Sequence, residues 1–81
     1  MTSHPTLYAF MSFIGNQLGQ SVEQPTQHLQ SDLGAESADI LNIALSIEDT
    51  WGIEISDSDL EEVATVQDLF DILVRNPQKE M

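Results

Sequence analysis

The stretch DLGAESADILNIALSIEDTWG, Asp32 to Gly52, decides how the chain is read. A tight glycine, a small residue and an acid precede Ser37, and an apolar-periodic run begins directly after it. Ile40, Ile43, Ala44, Ile47 and Trp51 recur at the spacing of one buried helical face, which predicts a helix from about Ser37 to Trp51, ended by Gly52. Leu41 and Leu45 fall about a third of a turn away from that stripe. With Ala38 they form a thinner apolar line that faces solvent or a partner.

Outward from this helix, two more stripes appear. Leu7, Phe10, Met11, Ile14 and Leu18 predict a first helix, with Pro5 in its first turn and Gly19 at its stop. Tyr8, Ala9 and Phe13 lie off that stripe. They are either exposed as a contact patch or buried under the connection that follows. Val66, Leu69, Phe70 and Leu73 predict a last helix, opened by Thr65-Val66-Gln67-Asp68 and carrying Arg75 in its final turn. Asn76-Pro77 ends it. Ser56-Asp57-Ser58-Asp59 opens a short helical piece to about Glu62. Between the first two helices runs a long polar connection, about Gln20 to Glu36, with Val22, Leu29 and Leu33 as apolar anchors. A connection of that length within a small domain is often functional. The expected fold is all-α: a small bundle of three main helices plus one short helix, in a single domain over 1–81 with loose tails at 1–5 and 76–81.

Charge narrows the function. Fourteen acids face one Arg and one Lys, giving a net charge of −12. Twelve of the acids lie between Asp32 and Asp71, and no Lys or Arg precedes Arg75. Such a field repels nucleic acid and anionic membrane and attracts basic partners. A hydrophobic content of 41% with clear periodicity argues against an acidic disordered segment. No cysteine is present, so neither disulfides nor thiolate metal sites contribute. The longest apolar run, Leu7 to Ile14, is interrupted by Ser12, is too short to cross a bilayer and lacks a basic flank ahead of it. A monomer in the cytoplasm is expected. Crowding of the acids is expected to raise carboxylate pKa values.

Ser37 has the makings of neither a catalytic nucleophile nor a metal ligand. Catalysis would need a base and an oxyanion site, and the histidines are His4, near the N-terminus, and His28, in the long connection. Asp57, Asp59, Glu61 and Glu62 do not follow the calcium-loop spacing, and no dedicated metal site is expected. At a helix start Ser37 is either an N-cap or an attachment point for a phosphate ester, which free N–H groups and the helix dipole favour.

The surroundings of Ser37 resemble the acyl carrier protein family. The matching residues are Asp32-Leu33-Gly34-Ala35-Glu36-Ser37, then Ile47-Glu48-Asp49-Thr50-Trp51-Gly52-Ile53-Glu54-Ile55, then Ser56-Asp57 and Ala64-Thr65-Val66-Gln67-Asp68-Leu69. The match runs without gaps from Asp32 to about Leu73, while the first helix and loop match in layout more than in residues. Glu36 stands where the family has Asp, and Ala38 where it has Leu. The resemblance implies a protein that is not an enzyme. It implies a 4'-phosphopantetheine arm on Ser37, installed from coenzyme A by a phosphopantetheinyl transferase that brings magnesium and the base. Acyltransferases, ketosynthases and other carrier-dependent enzymes with basic docking faces are then the implied partners, in fatty-acid, polyketide or related lipid biosynthesis. The partner-recognition residues implied are Glu36, Asp39, Leu41, Leu45, Glu48, Asp49 and Glu54. The acyl pocket would draw on Leu29, Ile43, Ile47, Ile55, Leu60, Val63 and Leu69. An unmodified acidic helical adaptor for a basic protein is the competing reading.

Overall fold

The computed structural model describes residues 5–75. Among them run four helices, α1 (Leu7–Leu18), α2 (Ser37–Trp51), α3 (Asp57–Glu61) and α4 (Val66–Arg75). His4 and the expected loose tail from 76 onward lie outside the described residues.

Local chemistry sets the helix ends. The Thr6 side chain accepts the Ala9 N–H at 3.1 Å, so Thr6 is the N-cap of α1. Pro5 therefore stands one residue before the cap, not in the first turn. Helix α2 stops at Gly52, whose φ of 68° is a left-handed conformation that glycine adopts without cost. Ser56 Oγ accepts the Asp59 N–H and starts α3. Thr65 and Asp68 cap α4 reciprocally: Asp68 N–H donates to Thr65 Oγ1 at 3.1 Å, and Thr65 N–H donates to Asp68 Oδ2 at 3.0 Å.

The expected core stripes close on one another. Phe10, Ile14, Leu29, Ile47, Val66, Leu69 and Leu73 are fully enclosed, with Ile43 at 1% exposure. Ile53 and Ile72 join them from positions outside the expected stripes. Helices α1 and α2 run antiparallel, because Phe13 meets Trp51 edge-on at 4.9 Å while Gln17 meets Ser46. Phe10 lies 5.4 Å from Phe70 and 6.0 Å from Trp51, so rings from α1, α2 and α4 fill the end of the bundle at the C-terminus of α2. The off-stripe residues of α1 thus divide. Phe13 is half-buried against Trp51, whereas Tyr8 is 80% exposed and Ala9 also faces solvent.

The long connection is tied to the start of α4. His28 pairs with Thr65 in an isolated antiparallel bridge, and Leu29 N–H donates to the Ala64 carbonyl at 2.9 Å. The first N–H groups of α4 have no partner inside their own helix. Two of them find one here: Val66 N–H reaches the Gln27 carbonyl and Gln67 N–H the Pro25 carbonyl. Leu29, buried at the middle of this segment, fixes it onto the core.

Candidate functional site

Leu33 and Ala35 are buried, and Gly34 between them takes a φ of 71°. That left-handed step turns both flanking side chains inward. The Ala35 N–H donates to the Leu29 carbonyl at 2.8 Å, and the Gln20 amide donates to the Leu33 carbonyl. The turn is thereby fixed before the chain enters α2. Glu36 is the N-cap, in extended conformation, and its N–H donates to Asp39 Oδ2 at 3.0 Å. Ser37 is therefore the first residue of α2 and not its cap. Its side chain is exposed, and the capping function belongs to its neighbours.

Ser37 lies on the wall of an open cavity of about 460 Å³. Ile40 and Leu41 of α2 form one side. Asp57, Leu60 and Glu61 of α3, with Val63, form another, and Gln30 comes from the long connection. Of the expected pocket residues, Leu60 and Val63 are in this wall. Leu29, Ile43, Ile47, Ile55 and Leu69 are packed in the core, as inner helix faces that would have to part to admit a chain. Ile40 and Leu41 follow Ser37 by one helical turn and so share its face, a spacing that marks them as cavity walls.

The wall contains no imidazole or amine. His28 does not line the cavity; its backbone is bridged to Thr65 and its backbone N–H donates to Asp32 Oδ2 at 2.8 Å. Among the described residues, no group of three or more His, Asp or Glu side chains is placed to hold a metal ion.

The acids fall into different roles. Glu36, Asp39, Asp49 and Glu54 are exposed around α2, with Leu41 at 52% and Leu45 at 61% exposure between them. Asp39 also accepts the Glu36 N–H, and Glu48, unlike these four, is half-buried. Its carboxylate accepts the Ile55 N–H at 2.7 Å and is committed to the fold. The expected rise in carboxylate pKa reverses at Asp68. Partial burial pushes this carboxyl up, but hydrogen bonds from the Ala64 and Thr65 N–H groups, the Thr65 side chain and the charge of His28 outweigh it. The net direction is down.

A family model for the phosphopantetheine attachment site matches residues 4–73. The acyl carrier protein of Syntrophobacter fumaroxidans is 38% identical over 68 residues, covering 82% of this chain and 84% of that protein. The acyl carrier protein of Phaeodactylum tricornutum is 38% identical over 69 residues, covering 80% and 88%. A solved Mycobacterium tuberculosis chain assigned as an acyl carrier protein superimposes with a TM-score of 0.81 at 25% identity, over 88% of this chain and 97% of that one. The acyl carrier protein of Thermotoga maritima, at 20% identity and a TM-score of 0.72 over 90% and 93%, shares the fold. The chain belongs to the acyl carrier protein family, whose members carry phosphopantetheine and catalyse no reaction of their own.

Proposed function

We propose that Ser37 is the residue that receives 4'-phosphopantetheine. The loaded chain then delivers acyl groups to acyltransferases, ketosynthases or other carrier-dependent enzymes of fatty-acid, polyketide or related lipid biosynthesis. The observation that carries this reading is the position of Ser37. It is exposed, it is first in α2, it opens on a cavity, and it has no base in the wall around it. A phosphopantetheinyl transferase supplies the base. In the loading reaction the Ser37 Oγ–P bond forms at the β-phosphate of coenzyme A. The bond to the 3',5'-ADP leaving group breaks, and the hydroxyl proton passes to the transferase.

The residues present fit the group. Free N–H groups in the first turn of α2, and its dipole, favour a phosphodiester on Ser37. When bound, the group supplies the thiol that this cysteine-free chain lacks, for holding acyl groups as thioesters. Ile40, Leu41, Leu60 and Val63 offer apolar wall to a cargo beside Ser37, while Gln30, Asp57 and Glu61 make the wall polar. The exposed acids Glu36, Asp39, Asp49 and Glu54 steer basic partner faces, and Leu41 and Leu45 supply the apolar contact between them. The carrier acts as a monomer in the cytoplasm.

Intact mass after incubation with coenzyme A and a promiscuous transferase tests the reading. The wild-type chain gains one arm, and Ser37→Ala gains none while keeping its helical spectrum. An unchanged wild-type mass across several transferases supports the unmodified adaptor instead.

A further inference from the structure

Helix α3 forms one wall of the cavity beside Ser37, yet none of its five residues is buried. A helix this short has no stability of its own, and its place is set by Leu60, half-buried against the core, and by what flanks it. Its attachment to α4, Arg75 to Asp59 at 3.9 Å, is a solvent-exposed ion pair of the kind that contributes little. On the other flank the chain leaves α2 through Gly52 and buries Ile53 and Ile55. There Glu48 makes two bonds. Its carbonyl accepts the Gly52 N–H at 2.8 Å, and its carboxylate accepts the Ile55 N–H at 2.7 Å. The second is short, charge-assisted and half-buried, which places it among the stronger hydrogen bonds. It holds the chain two residues before α3 begins.

We propose that Glu48 is the positioning residue that sets α3 as a wall of the Ser37 cavity, and that release of its bond to Ile55 lets α3 swing outward and the cavity widen. The functional meaning rests on Ser37 being the loaded residue; the structural claim does not. This role differs from the partner steering that the sequence suggests for Glu48.

The test uses the unmodified full chain, so its outcome is independent of whether Ser37 is loaded. Amide hydrogen exchange is compared for wild type, Glu48→Ala, Glu48→Gln and Asp49→Ala. Glu48→Ala raises exchange over residues 55–63 by about tenfold or more, the scale of one charge-assisted hydrogen bond, and leaves α1 and α4 unchanged. Glu48→Gln keeps an oxygen acceptor but loses its charge and falls between wild type and Glu48→Ala, while Asp49→Ala stays close to wild type. The Ile55 amide proton resonance lies farther downfield in wild type than in Glu48→Gln, because a carboxylate is the stronger acceptor; this second measurement serves if Glu48→Ala fails to fold. A uniform rise across all four helices, no change over 55–63, Glu48→Gln as fast as Glu48→Ala, or an Ile55 resonance unmoved by Glu48→Gln each overturns the proposal.

Discussion

The Glu36 N–H donates to Asp39 Oδ2 at 3.0 Å, and Ser37 stands inside the loop of chain that this bond closes. The bond leaves the Ser37 side chain out of the capping of α2. Stability and loading therefore separate in mutants. Ser37→Ala shifts unfolding stability by less than about 0.5 kcal/mol, as exposed substitutions away from special features do. Asp39→Ala removes a capping acceptor and costs about 0.5–1 kcal/mol. Urea denaturation measures both, and a Ser37→Ala loss as large as that of Asp39→Ala would show that the hydroxyl caps the helix after all.

Partner docking should divide between charge and apolar contact. Asp49 is exposed on α2, so Asp49→Lys should slow association with a basic enzyme face and flatten its salt dependence, since screening acts over about 8–10 Å in ordinary buffers. Leu45→Ala should instead speed dissociation with little dependence on salt. Glu48→Lys is not a clean probe of steering, because it also breaks the bond to Ile55. Surface-plasmon kinetics across ionic strength distinguish the two effects. Association that is insensitive to salt in the wild-type chain counts against steering.

Asp68 gives the fold an acid-sensitive cap. Its folded pKa lies below the ordinary carboxylate value of about 3.9. The folded state therefore binds fewer protons than the unfolded chain in that window. The stabilisation is complete above the unfolded value and is lost as pH falls through the folded one. Asp68→Ala should cost about 1 kcal/mol at pH 7, and its stability should converge on that of wild type as pH falls through the lowered folded value. Denaturant titrations at several pH values check this. A gap that stays constant with pH means the carboxylate charge is not what holds the Ala64 and Thr65 N–H groups.

Gly15 faces the start of the long connection. A Cβ there would stand 2.5 Å from the Gln20 backbone carbonyl oxygen, which cannot swing aside as a side chain can. Gly15→Ala should destabilise the chain by about 1–3 kcal/mol despite the better helix propensity of alanine. Thermal melts followed by circular dichroism report it, and a stabilised variant would mean that residues 19–22 shift freely.

Much of this architecture is legible in the sequence, because its signals are local. Gly19 and Gly52 stop helices where periodicity ends, and Thr65 with Asp68 announces α4. Ser37 at the head of α2 follows from the apolar spacing after it. The contents of the cavity wall are less legible. Asp57 and Glu61 read as a solvated charged face, and nothing local shows that α3 folds back beside Ser37. Glu48 reads as one more surface acid until the turn at Gly52 returns Ile55 to it. The same return buries Ile53, which lies on no periodic stripe. Leu29, Ile43, Ile47 and Leu69 pack around a common centre, and the apolar spacing that predicts a core face is the same one that predicts a pocket lining.

The ring cluster at the C-terminus of α2 makes the molecule its own optical instrument. Trp51 is the single tryptophan, set edge-on to Phe13 at the opposite end of a fifteen-residue helix from Ser37. At 1.5 Å per residue the two are roughly 20 Å apart along the axis. Events confined to the Ser37 end should leave indole emission untouched, whereas a guest that threads the bundle lengthwise must displace the rings and shift the emission wavelength. Fluorescence of the native chain thus works as a depth gauge, needing no label and no added chromophore.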